Sequence, residues 1–361
     1  MGERTARHPV GAESEFDALV RGAVRAALGA EVARLEPLAG QLGLRRFARV
    51  WLKSGSPATL IARLEAPEDP GGRPSGIAPE PPLEPLRTLL ERAGLPVPAR
   101  YGGDARAGLD LLEDLGSLSL REAVGSASAA ERRALYEEAC DLVPRLQRVE
   151  ESDTPVPAFQ RRLDAAQFAY KADLFVEWSL RERGRDATPA EVEAVREAFA
   201  IAAGEAERAP RRLAHRDLQS ENLWVRPGGT PGARLALIDL QGAWLAPPEY
   251  DLVCLLRDSY VELPEAEVAA HLDRVRPQLP DAPDPETFAR RFDLLTLSRK
   301  GKDHARFLYA ARARGDRRYL PYAAATLRAL RAAAARAAAR DPRLAPLAEL
   351  IGELPERPCA R

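Results

Sequence analysis

Apolar and polar positions recur in two rhythms along this chain. Phe16, Leu19, Val20, Val24 and Leu28 stand at helical spacing and predict a helix from Glu13, after about twelve residues without pattern that are read as disordered. Three segments of strand character follow, at about 31–37, 46–53 and 59–65, with turns at Gly40/Gly43 and at 54–57. The Pro- and Gly-rich stretch 68–82 is a loop. Leu83, Leu86, Leu89 and Leu90 then predict a short helix stopped by Gly94. A further strand leads to the apolar run 109–112, which ends in Glu113-Asp114-Leu115-Gly116. From there the pattern is almost wholly helical: about 130–147, 158–183, and a third helix opened by Thr188-Pro189-Ala190-Glu191. Two short strands, 223–225 and 235–238, interrupt it before helices return at 251–258, 265–275, 286–313 and 319–340. This predicts an α+β chain with a boundary near residue 116: a small sheet-bearing domain over 1–116 and a large, mainly helical one over 117–361.

Charge narrows the possible partners. Lys and Arg total 53 against 54 acidic residues, a formal net charge of −1, so no electrostatic case exists for nucleic acid or a membrane surface. Only four residues are Lys (53, 171, 300 and 302) and Met1 is the sole Met, a composition that fits a GC-rich genome. Cys140, Cys254 and Cys359 are far apart and lack metal-ligand spacing, as expected of reduced thiols in a cytosol. With no signal peptide and no run of membrane-spanning length, a cytoplasmic, monomeric protein is expected.

The chemistry concentrates between Leu213 and Asp251. His215-Arg216-Asp217 is followed after four residues by Asn222, and the strand 235–238 delivers Asp239 at its end. Moving the γ-phosphoryl group of ATP to a hydroxyl requires one carboxylate to orient the hydroxyl and accept its proton. It also requires hard oxygen ligands for the Mg2+ that bridges the phosphates. Asp217 is placed for the first task, and Asn222 and Asp239 for the second. His215 and Arg216 are read as holding the loop, and Asp251 as supporting it by capping the helix it opens.

His-Arg-Asp followed by Asn222 and the strand-borne Asp239 resembles the catalytic signature of the protein-kinase-like superfamily. The fuller match lies in His215 to Asn222, Ile238 to Ala243, Pro247 to Asp258 and Asp173 to Trp178. It resembles the aminoglycoside phosphotransferase-like branch and, within it, the anomeric kinases of N-acetylmuramate and N-acetylglucosamine used in cell-wall recycling. The resemblance implies a bilobal protein-kinase-like fold, ATP and Mg2+ as cofactors, and the anomeric hydroxyl of a small amino sugar as acceptor. It makes Gly40 and Gly43 the turn over the phosphates and Arg63 the strand cation, with Lys53 as competitor and Glu84 or Glu91 as that cation's partner. It makes Glu113, Asp114 and Leu115 the hinge that binds adenine through its backbone.

Four residues are candidates for the acceptor. Glu177 and Trp178 pair a carboxylate with an indole that a sugar ring can stack on, and Gln241 follows Asp239 closely. Arg299 belongs to a basic cluster with Lys300, Lys302 and His304 that reads either as a solvated helix face or as a contact for an anionic substrate group. Two features depart from the family: Gly242 stands where an acidic residue is frequent, and the strand cation is Arg rather than Lys. An aminoglycoside or choline kinase, or a nucleotide-binding scaffold without activity, are the competing readings.

Overall fold

A computed structural model describes residues 10–38, 45–65 and 80–358. The chain divides into two compact units, one formed by 1–79 with 97–116 and the other by 80–96 with 117–361.

The first unit is a five-stranded antiparallel sheet in the order β1-β2-β3-β5-β4, with β1 Val32–Leu38, β2 Arg46–Leu52, β3 Thr59–Leu64, β4 Arg100–Asp104 and β5 Leu109–Glu113. One helix, α1 Val10–Leu28, precedes it and begins inside the stretch read as disordered. Strand alternation explains the sheet's two faces. Ala48, Val50, Leu60, Ala62, Leu109 and Leu111 point to one side, where Phe16, Val20 and Val24 of α1 cover them. Each buried Val, Leu or Phe among them contributes about 2 kcal/mol, and each Ala less. Positions of the opposite parity carry charge: Arg63 lies across from Asp110, and Arg49 reaches Asp114. Gly40 and Gly43, read as a phosphate-covering turn, lie outside the described residues.

The second unit is mostly helical. Its helices are α2 Leu86–Arg92, α3 Leu120–Ser126, α4 Ala129–Gln147, α5 Ala165–Leu174, α6 Pro189–Arg208, α7 Tyr250–Leu256, α8 Glu265–Val275, α9 Pro285–Ala313, α10 Ala323–Arg340 and α11 Ala345–Gly352. Two small antiparallel pairs lie among them: β6 Arg212–Ala214 with β9 Trp244–Ala246, and β7 Leu223–Val225 with β8 Leu235–Leu237. The expected capping at Thr188 is present in reciprocal form, with Thr188 and Glu191 each bonding the other's backbone N–H and Pro189 in the first turn.

The helix expected over 158–183 is instead four pieces. Arg161 and Leu163 bond the backbone of Leu245 beside β9, which keeps that stretch extended. Asp164 then caps Gln167 and starts α5, and a π-helical turn, Phe175–Ser179, follows directly. Helix α9 is buried over most of its 29 residues, and Gly301 lets it approach closely. A Cβ there would lie 3.3 Å from Phe199 and 3.4 Å from Phe175. No described helix is long and apolar enough to cross a membrane.

Candidate active site

The loop between β6 and β7 carries Asp217, and three groups fix its path. The buried Asp251 carboxylate accepts the backbone N–H of His215 at 2.7 Å and of Arg216 at 3.0 Å. His215, 2 % exposed, places Nε2 2.7 Å from the carbonyl of Ile238 and so ties the loop to the strand end before Asp239. Arg216 adopts a left-handed backbone, φ 80°, that a non-glycine residue holds only under constraint. Its guanidinium meets Glu80 at 3.0 Å and lies 4.8 Å from the Trp244 ring centroid. Burial pushes the Asp251 carboxyl up, against the opposing pull of His215 and the two N–H bonds. The supporting role expected of Asp251 is thus played through the loop. It does not cap α7, since it lies in the helix's first turn, after Glu249, and Glu249 makes no side-chain cap.

Asn222 and Asp239 come together because β7 pairs with β8 and the Ile238 N–H bonds the Asn222 carbonyl at 3.0 Å. The Asn222 side-chain amide donates to the Asp217 carbonyl at 2.8 Å, which leaves its Oδ1 for a cation. Asp239 is exposed, has φ 60°, and takes a hydrogen bond from the Gln241 amide. One carboxylate and one amide oxygen suit Mg2+, which keeps water and phosphate oxygens as its other ligands. Among the described residues no group of three or more His, Cys, Asp or Glu forms a closed metal cage. Gln241 is 1 % exposed and bonded to Asp239, so it positions that carboxylate rather than presenting itself to an acceptor.

Arg299 corrects the reading of its segment as a solvated face. Arg299, Lys300 and His304 are at most 3 % exposed, because α9 is a core helix. The Arg299 guanidinium donates to Asp217 Oδ1 at 2.7 Å, to the Arg216 carbonyl at 3.0 Å and to Gln219 Oε1 at 3.3 Å. With these bonds made, it holds the Asp217 loop and is not free for an anionic substrate group. Burial works to raise the Asp217 carboxyl, but Arg299, Arg216 and Lys302 together hold it well below the usual carboxylate range. Asp217 nonetheless remains 30 % exposed at its side chain, open to a hydroxyl.

Of the other acceptor candidates, Glu177 is exposed and Trp178 half-buried, packed edge-on against Tyr309 with centroids 5.2 Å apart; both belong to the π-helical turn. Sequence reasoning missed Lys171 and Glu80, and gave Lys302 only as a member of the basic cluster. Lys171, on α5, is 3 % exposed, with its amine 5.1 Å from the Phe168 ring centroid. Glu80 Oε1 lies 3.7 Å from where a Cβ on Gly242 would stand, so a carboxylate from a distant residue occupies the neighbourhood of the missing acidic side chain.

In the first unit, Arg63 is 4 % exposed and bound by Asp110 at 3.1 Å and by Glu65. Lys53 is exposed and pairs with Glu31 at 2.7 Å. Glu84 and Glu91, left open as partners of the strand cation, both engage Arg87 instead. In the segment read as a hinge, the Glu113 N–H bonds the Ala99 carbonyl, Asp114 binds Arg49, and Leu115 is buried.

A sheet-bearing unit, a mainly helical unit, and an Asp-Asn-Asp set on two neighbouring strand ends define a protein-kinase-like phosphotransferase. The sequence pattern of the phosphotransferase enzyme family matches residues 35–290, and the chain belongs to that family. It is 29 % identical over 330 residues to the N-acetylmuramate/N-acetylglucosamine kinase of Pseudomonas aeruginosa, covering 90 % of this chain and 89 % of that one. The protein of the same name from Pseudomonas putida is 30 % identical over 275 residues, 74 % of this chain and 75 % of the other. Among solved structures, choline kinase LicA from Streptococcus pneumoniae superimposes with a TM-score of 0.60 at 18 % identity, over 89 % of this chain and 99 % of LicA. ADP-bound aminoglycoside phosphotransferase APH(2'')-Ib gives 0.54 at 14 %, over 94 % and 99 %. These structural likenesses establish the fold.

Proposed function

We propose that this protein is an ATP-dependent sugar kinase that phosphorylates the anomeric hydroxyl of an N-acetylated amino sugar. The observation that carries the reading is Asp217, ionised, 30 % exposed and held by Arg299 on a loop that also carries Asn222, whose carbonyl bonds the strand end bearing Asp239. The names of the two Pseudomonas relatives support the sugar.

In the reaction, the acceptor oxygen forms a bond to the γ-phosphorus as the bond from that phosphorus to the ADP oxygen breaks. The acceptor proton passes to an Asp217 carboxylate oxygen. Asn222 Oδ1 and Asp239 would hold Mg2+, which would supply positive charge to offset the negative charge of the phosphate oxygens. Arg299 keeps Asp217 charged and aimed, and Asp251 keeps the loop from opening. Arg63 is assigned to the phosphates, and the backbone of 113–115 to the adenine edge.

Aminoglycosides and choline are cations, and the surroundings of Asp217 are rich in cations already: Arg216, Arg299 and Lys302. That disfavours them as acceptors. The test measures ATP consumption with N-acetylmuramate, N-acetylglucosamine, an aminoglycoside and choline in parallel, for the wild type and Asp217→Asn. Turnover with an amino sugar that falls about 1,000-fold in the variant is expected. Turnover with only the cationic acceptors, or none above background, refutes the reading and in the second case favours a scaffold.

A further inference from the structure

The least explained group in the second unit is the amine of Lys171. It is buried, and it has no hydrogen-bond partner among the described residues. Two rings flank it, Phe168 at 5.1 Å and Tyr250 at 5.6 Å. The charged groups whose fields reach it most strongly are cations, namely Lys302, Arg299 and Arg216. The neighbouring Cys254 offers no compensating charge, since burial pushes its thiol up to about 12. The acids close by are engaged. Asp217 is bound by Arg299, and Asp303 is shared among Arg299 at 3.2 Å, Lys300 at 2.9 Å and Lys302 at 2.9 Å. An unpaired ammonium in such a place is costly unless an anion arrives to meet it.

We infer that Lys171 and Lys302 form a subsite for a carboxylate on the acceptor sugar, and that this subsite distinguishes N-acetylmuramate from N-acetylglucosamine. The inference rests on the sugar-kinase reading. The two sugars differ in one respect that matters here: the muramate carries a lactyl ether ending in a carboxylate, and the glucosamine has a neutral hydroxyl in its place. Lys300 is excluded as a partner because its amine is committed to Ser259 at 2.8 Å as well as to Asp303. Trp178 and Tyr309 stand seven residues, about two helical turns, beyond Lys171 and Lys302 on the same two stretches of helix and pack edge-on, an apolar surface for the sugar ring. Lys171 has no counter-ion among the described residues, and Lys302 shares the one acid beside it, Asp303, with Arg299 and Lys300. Burial, then Lys302 and Arg299, lowers Lys171 to about 7, and burial, then Arg299, lowers Lys302 to about 8. A bound carboxylate raises both.

An ATP phosphate offers the same anionic chemistry, so the experiment separates the two sources. Steady-state constants are measured for both sugars and for ATP, in the wild type, Lys171→Met and Lys302→Gln, with urea unfolding as a check on each variant. The expected result is that the ratio of kcat/KM for muramate over glucosamine falls about ten-fold or more in each variant, mainly through the KM for muramate, which corresponds to about 1.4 kcal/mol. If Lys171→Met does not fold, Lys302→Gln reads the same ratio. A ratio that neither substitution moves overturns the inference and leaves the kinase reading intact. A rise in the KM for ATP that is equal with both sugars also overturns it, since the amines then serve phosphate. Absence of transfer to either sugar in the wild type overturns both.

Discussion

Replacing Arg299 by Met separates the two things this residue is held to do. Its guanidinium is 2.7 Å from Asp217 Oδ1 and buried. Unit charges about 4 Å apart at an effective dielectric near 20 interact by about 4 kcal/mol, or about three pKa units. Asp217 is 30 % exposed, so solvent screening reduces this to about two units. In the wild type the Asp217 carboxyl lies well below the usual range, hence stays ionised across the working pH, and kcat at saturating sugar shows no acid limb from it. Without Arg299, burial acts with less opposition and the carboxyl rises. The acid limb of the kcat profile then moves up by about two pH units from its wild-type place, with activity lost as pH falls. Loss of aim adds a reduction of about 10- to 100-fold at neutral pH. Arg299→Lys is the companion variant: it restores charge but not the fork to the Arg216 carbonyl, so the limb recedes while kcat stays low. The assay is ADP release against pH, alongside urea unfolding of each variant. A flat profile with kcat within about two-fold of wild type in Arg299→Met refutes the reasoning.

Three further outcomes are expected. Asp239→Asn raises the Mg2+ concentration for half-maximal rate by about 10-fold or more, measured by Mg2+ titration at fixed ATP; an unchanged midpoint removes Asp239 from the metal site. Asp251→Asn retains size but offers an amide donor to one of two backbone N–H groups it now accepts from, so stability falls by about 2 kcal/mol in urea unfolding and kcat falls with it; equal stability excludes the support role. Glu249 is fully buried, and burial raises its carboxyl to about 7 against the pull of Arg291. A folded value raised above the unfolded one means its contribution is complete below about pH 4.5 and is lost as pH rises through about 7. Glu249→Gln is therefore more stable than the wild type at pH 8.5 by up to about 3 kcal/mol, and the gap closes toward acid pH in parallel urea titrations; a pH-independent difference contradicts it.

That Asp217, Asn222 and Asp239 share one neighbourhood was readable from residue types and spacing, because they lie close in the chain. Asp217, Asn222 and Asp239 are brought together by a hairpin whose apolar runs, 223–225 and 235–238, are plain in the sequence. The capping at Thr188 and Glu191 is equally local. Arg299 was misread for the opposite reason. Four basic residues among six look solvated when taken alone, and only the burial of the surrounding helix reverses the inference. A signal existed in Phe288, Phe292, Leu294, Leu295, Leu297, Phe307 and Leu308, which leave α9 no continuous polar face. Lys171 and Glu80 had no such signal, since their significance lies in what meets them from residues more than 70 positions away. The break before α5 depends on pairing with Leu245, again a partner far along the chain.

The wide turn at Phe175–Ser179 has an evolutionary consequence. Such a turn holds one residue more than the regular spiral needs, and everything after it is rotated relative to Lys171. Loss of that single residue would tighten the coil and swing Trp178 away from Tyr309, while Asp217, Asn222 and Asp239, on other segments, stayed in place. Insertions and deletions here, more than point changes, are therefore what re-aims Trp178 relative to α5.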